Sequence, residues 1–107
     1  MAAATSVVVE RGTKQFQGMF SEMWKVSATL NSDSLSDGAG TSDTVTVPGV
    51  ALGDIVLGSS HGVDRAGITV TAYVSAADTV TLRIQNESAG TVDLASTTVK
   101  LVVGRLA

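Results

Sequence analysis

The chain of 107 residues contains no cysteine, one proline, four aromatic side chains among Phe, Trp and Tyr, and 16% charged residues. Each scarcity excludes something. Without thiols there is no disulfide framework, no zinc–thiolate site and no cysteine nucleophile. Charged residues fall well below the roughly 25% of an ordinary soluble domain, so the surface is poor in charge. The basic residues Arg11, Lys14, Lys25, Arg65, Arg83, Lys100 and Arg105 are scattered singly, and the net charge is −3. A nucleic-acid binder concentrates its basic residues on one face, so no direct nucleic-acid contact is expected. No apolar run approaches the roughly 18 residues of a membrane helix, and no membrane partner is expected. The opening Met1-Ala2-Ala3-Ala4 lacks the basic start and long apolar core of a signal peptide.

What is present is alternation. Trp24, Val26, Ala28 and Leu30 alternate with Lys25, Ser27, Thr29 and Asn31, the period of a half-buried strand. Thr44 to Val47 repeats it and stops at Pro48, which cannot donate to a ladder. Pro48-Gly49 has the order of a type II turn, with proline at i+1 and glycine at i+2. Ile55 to Leu57 is a short apolar strand. Ile68, Val70, Ala72 and Val74 face one way, and Val80, Leu82 and Ile84 continue that face after a short connection, which predicts a hairpin. Val99, Leu101 and Val103 form the last strand. Val102 points outward there, which hints at a covered surface. Weaker extended segments lie near Val7 and Val92, and Asn31 to Ser42 and Ser59 to Gly67 read as polar loops.

Short connections between such runs predict an all-β chain, an antiparallel β-sandwich (jelly-roll-like) of about six to eight strands. The domain is expected over residues 23–107, preceded by an extended or short helical arm over residues 1–22. In the arm, Phe16, Met19, Phe20 and Met23 fall at i, i+3, i+4 and i+7, the spacing of one helical face. This cluster reads as a short helix packed on its own sandwich, as an arm docked on a neighbouring subunit, where aromatics and Met are enriched, or as part of a ligand pocket. Phe16, Met19, Phe20, Met23 and Trp24 are the candidate partner-interface residues.

Sites of chemistry are scarce. Ser59-Ser60-His61-Gly62-Val63-Asp64 places hydroxyl, imidazole and carboxylate in one loop, but a hydrolytic triad is defined by supported geometry and an oxyanion hole. Asp33, Asp37 and Asp43 invite a calcium reading, yet an EF-hand alignment leaves Leu35 at the third ligand position and Thr44 in place of Glu. Asn86-Glu87-Ser88 matches the glycosylation sequon, a short pattern common by chance. No phosphate loop or dinucleotide fingerprint is present. The residues therefore predict no catalytic site, no cofactor and no metal, and an enzyme is not expected.

The run TVTVPGVALGDIVL over residues 44–57, the hairpin ITVTAYVSAADTVTLRIQN over 68–86 and SAGTVDLAS over 88–96 together resemble a module of tailed-bacteriophage virion proteins. The likeness covers roughly residues 24–103. It implies a small, non-enzymatic β-sandwich of the kind found in capsid decoration (cement) proteins and in tail or fibre components. The decoration role implies a homotrimer on the outer head surface of the virion, made in the host cytoplasm. Its partner would be the major capsid protein, whose subunit contacts it would reinforce. The trimer follows from the three equivalent docking surfaces at capsid threefold positions. The alternative is a tail or fibre-associated module binding host-surface glycan, for which the outward Tyr73 is the candidate contact.

Overall fold

A computed structural model of the chain describes residues 3–11, 19–65 and 67–106. Among these described residues seven strands follow one another: β1 (Thr5–Arg11), β2 (Phe20–Leu30), β3 (Gly40–Thr46), β4 (Ile55–His61), β5 (Ile68–Ala76), β6 (Thr79–Asn86) and β7 (Thr97–Leu106). They form two antiparallel sheets packed together, one of order β1-β2-β7-β4 and one of order β3-β6-β5.

The alternating apolar residues build the space between the sheets. Trp24, Val26, Ala28 and Leu30 from β2 and Val99, Leu101 and Val103 from β7 meet Val45, Val47, Val74, Val80 and Leu82. A smaller cluster of Leu35, Ile68, Ile84 and Leu94 fills one end. There Leu35 and Val92 form an isolated bridge, so the weak segment near Val92 contributes a single paired residue and no strand. The segment near Val7 is β1, paired with β2 across a bulge between Thr5 and Val8.

The turn at Pro48-Gly49 forms as expected. Gly49 has φ +96, the left-handed value that position i+2 of a type II turn requires, and Val50 N donates to Val47 O at 3.4 Å. β4 runs further than its apolar residues suggest. Ser60 pairs with Lys100 and His61 with Val99, because β7 is long enough to hold polar residues in its ladder.

The short helical arm is not formed among the described residues, where there is no helix. Phe20, Met23 and Trp24 lie in β2, and Phe16 lies outside the described residues. The boundary drawn between residues 22 and 23 falls inside this strand. The helical spacing has a different cause. β2 carries a bulge between Phe20 and Glu22, and one extra residue shifts the strand's parity. Phe20 and Met23, three apart, thereby share the outward face of the four-stranded sheet. A bulged strand has imitated the i, i+3 step of a helix.

Candidate functional site

Of the five residues expected at a partner interface, the four described ones divide sharply. Trp24 is 1% exposed and presents no surface to a partner, whereas Met19 is 64% exposed. The Trp24 ring closes one end of the core. The Arg11 and Arg105 guanidinium groups lie over it, with Cζ atoms 4.9 and 5.3 Å from its centroid, favourable placements for a cation on an aromatic face. Its Nε1 donates to Pro48 O at 3.1 Å. Arg105 donates from Nε and Nη2 to the two carboxylate oxygens of Asp54 at 2.9 Å each, and from Nη2 to Gly49 O at 3.0 Å. This forked hydrogen bond holds the Asp54 carboxyl below its ordinary pKa and raises that of Arg105. Arg11 completes the group by donating to Glu22 Oε2 at 2.9 Å. Trp24 is thus a structural anchor that ties the Pro48 turn to β2.

Phe20 and Met23 are also buried, but neither belongs to the core between the sheets. Both sit on the outward side of the four-stranded sheet. Gly104 of β7 pairs with Met23 on one side and Ile55 on the other. A Cβ at Gly104 would stand 2.7 Å from two carbons of the Phe20 ring and 3.6 Å from Leu57 Cδ1. The glycine therefore makes the hollow in which the Phe20 ring lies flat against the sheet. Beside that ring lie Ile55, Leu57, Val102 and Leu106, and farther along the same outward side lies Val8; the five remain between 39% and 60% exposed. The pairing of Val8 with Ser27 and of Val102 with Lys25 and Gly58 places them on the same outward side. A shallow concavity of about 640 Å³ opens between Val8, Lys25, Ser60, Lys100 and Val102. Glu10, Lys25 and Lys100 line it; Lys25 Nζ stands 3.9 Å from Glu10 Oε2, with both side chains over 70% exposed, a geometry worth little energy.

This apolar layer is the most distinctive surface of the molecule. Sequence reasoning reached it through Phe20 and Met23, expected at a partner interface, and through Val102, expected to point outward. Val8 and Leu57 were not legible because strand order in the sheet is not chain order, and a bulge between Val56 and Gly58 hides the parity of Leu57.

The other candidate sites resolve into local structure. His61 Nδ1 accepts from Arg65 Nε at 3.2 Å, so the ring hydrogen of the neutral imidazole resides on Nε2. That nitrogen is buried and has no hydrogen-bond partner among the described residues. Burial, and then the neighbouring Arg65, lower the His61 pKa, while Asp43 acts in the opposite direction. Arg65 also reaches Ser59 O at 3.2 Å. No serine hydroxyl bonds the imidazole among the described residues, and the relay of a hydrolytic triad is not formed. Asp43 is fully buried and accepts from Ser32 Oγ at 2.7 Å. Asp37 instead accepts from Ala89 N at 3.3 Å. Among the described residues no three carboxylates or imidazoles gather where a metal could bind.

Asn86 of the sequon is fully buried, with Nδ2 donating to Leu35 O at 2.8 Å and Gly90 O at 2.7 Å. Its amide is committed to the fold and is not presented for modification. Tyr73 is 47% exposed on the outward side of the three-stranded sheet, paired with Thr81 and one step from the Thr71–Arg83 pair. Compared with known proteins, the chain matches no family model, no curated protein and no solved structure.

Proposed function

We propose that this chain is a structural virion protein, a decoration (cement) protein that docks on the outer head surface of a tailed bacteriophage. There it strengthens contacts between major capsid subunits, as a homotrimer. On this reading the two packed sheets are a jelly-roll-like β-sandwich acting as a chemically quiet scaffold. The observation that carries the proposal is the apolar outward face of the four-stranded sheet around Phe20 and Gly104. Exposed apolar patches rimmed by polar residues mark interaction sites.

The magnitude of that face favours a large, multivalent partner. Its five exposed side chains together equal between two and three fully exposed aliphatic residues. Burying them yields about 4–7 kcal/mol at ~1.5–3 kcal/mol each. Free association of two proteins costs about 4–15 kcal/mol in lost motion, so one such face holds a partner weakly. Three faces of one trimer on a repeating capsid surface act together, and later contacts become intramolecular.

Purified protein added to heads that lack it should bind and raise their resistance to heat. Val102→Asp and Leu57→Asp should abolish binding while the chain still folds and melts cooperatively. Absence of wild-type binding to heads would sink the decoration role.

A second reading, a tail or fibre-associated module that binds host-surface glycan, draws on Tyr73. Its half-exposed ring among Thr71, Thr81 and Arg83 offers an apolar face beside hydrogen-bonding groups. Copurification with tails in place of heads, with glycan-array binding lost in Tyr73→Ala, would favour it.

A further inference from the structure

Two sheets of this kind have four edges, and an edge strand left open is a template for another chain. Three of the four are blunted by recognisable devices. β1 is broken by its bulge between Thr5 and Val8 and carries Glu10 and Arg11. β3 is covered near its centre by Ala4, whose N–H donates to Thr44 O at 2.8 Å, and it points the buried Asp43 inward. β4 is interrupted by its bulge between Val56 and Gly58 and points His61 inward.

Among the described residues β5 has none of these, although β4 of the other sheet comes alongside it. From Ile68 to Val74 it pairs with β6 without a bulge and contains no charged residue and no proline. The one backbone bond that reaches it from outside its ladder, among the described residues, is Ile68 N to Arg65 O at 3.0 Å. Its inward side chains Val70 and Ala72 stay half-buried although they point at the core. An additional strand beside β5 would cover both.

The strand is also complementary to itself. The regular run has Thr71 at its midpoint. In an antiparallel pairing about a two-fold axis at Thr71, Thr71 faces its own copy, Val70 faces Ala72 of the other chain, Thr69 faces Tyr73, and Ile68 faces Val74. Every apolar residue meets an apolar one on the core side. Every outward pair is Thr with Thr or Thr with Tyr, both favourable cross-strand combinations, and no like charges meet. We propose that β5 pairs with β5 of a second copy of this chain, joining two three-stranded sheets into one continuous sheet across a two-fold axis. The inference is independent of the decoration role. Where that role holds, the two-fold contact would link one trimer to its neighbour.

The absence of cysteine allows a direct test. Directly opposed residues of an antiparallel pair have Cα atoms about 4.5–5.5 Å apart, within the span of a disulfide. Thr69 and its own copy would be separated by four residues along the strand, on the order of 13 Å, which is too far. Under mild oxidation Thr71→Cys should form covalent dimer at least roughly tenfold faster than Thr69→Cys, given that spacing. The double variant Thr69→Cys/Tyr73→Cys should also cross-link, through position 69 of one chain and 73 of the other. Adding Thr71→Lys to that double variant should suppress it by placing like charges face to face. Equal cross-linking at positions 69 and 71, or none in Thr71→Cys and the double variant with folding retained, would overturn the proposal.

Discussion

Asn86 offers the sharpest test of how this fold is held. Its side chain makes four hydrogen bonds: Nδ2 donates to Leu35 O and Gly90 O, and Oδ1 accepts from Ser88 N at 2.9 Å and Ser88 Oγ at 2.7 Å. Its main chain adds two more, donating to Ala39 O at 2.9 Å and accepting from Gly38 N at 2.7 Å. One buried residue thus fastens the 35–39 segment and the 88–90 turn to the end of β6. It also closes the small cluster of Leu35, Ile68, Ile84 and Leu94.

Asn86→Asp keeps the shape and reverses the chemistry. A carboxylate oxygen would face two carbonyl oxygens, and two donors would vanish. Leaving an uncompensated charge in a buried site costs about 3–5 kcal/mol. Asn86→Ala leaves acceptors unsatisfied without adding charge, which is worth about 2–4 kcal/mol. Each kcal/mol corresponds to roughly 4–8 °C of melting temperature in a domain of this size. Ser88→Ala removes one hydroxyl at an exposed position and should stay within about 1 kcal/mol.

The pH dependence of Asn86→Asp distinguishes charge from shape. Burial and the facing carbonyls raise the new carboxyl's folded pKa above its unfolded value of about 3.9. The folded state then holds its proton more tightly than the unfolded state. The variant's deficit should be smallest below about pH 4, grow as pH rises through the folded pKa, and be constant above it. Urea denaturation of wild type and variant across that range, with the slope m unchanged, measures this directly. A deficit below about 1 kcal/mol at neutral pH, or one independent of pH, would refute the account of Asn86 as a buried donor.

Two further outcomes follow from the same geometry. Gly104→Ala should lose about 1–3 kcal/mol by driving a Cβ into the Phe20 ring, and Phe20→Leu in the same chain should recover most of it; an additive double variant would show that Phe20 does not occupy the Gly104 hollow. Because the folded pKa of His61 is lowered, the unfolded state binds its proton more readily, so stability should fall as pH drops below about 6.5. His61→Asn should flatten that dependence, which chemical denaturation between mildly acidic and neutral pH can read.

The hairpin of β5 and β6 was legible because both strands alternate cleanly and a short connection joins them, read as residues 75–78 and closing in the fold to Ala77 and Asp78. The Pro48-Gly49 turn was legible because its residue types specify one geometry. Phe20 and Met23 were misread because a bulge and a helix turn both bring residues three apart to one side. The burial of Asn86 was not legible, because a three-residue pattern carries no information about burial. The apolar outward face was visible only in part, at Val102 and in the interface candidates Phe20 and Met23. Assembling Val8, Leu57, Phe20 and Gly104 beside it requires knowing that β1, β2, β7 and β4 are neighbours, an order set by packing across the whole chain.

The two outward faces differ in a way that stability alone does not explain. The three-stranded sheet turns Thr69, Thr71 and Tyr73 from β5, and Thr81, Arg83 and Gln85 from β6, to its outer side. That is the polar alternation of a sheet with one wet face. The four-stranded sheet instead layers Phe20 and Met23 on its outside, with Leu57, Val102 and, farther along, Val8 on the same side. None of these five belongs to either internal cluster. Substituting polar residues at the exposed three would remove little packing from the folded chain and would make its surface more soluble. A chain with only 16% charged residues gains nothing in isolation by leaving that layer uncovered. On the proposed reading the gain comes on contact: with the Phe20 ring lying in the Gly104 hollow, a partner covering this face would meet a preformed apolar platform and would lose little additional side-chain freedom.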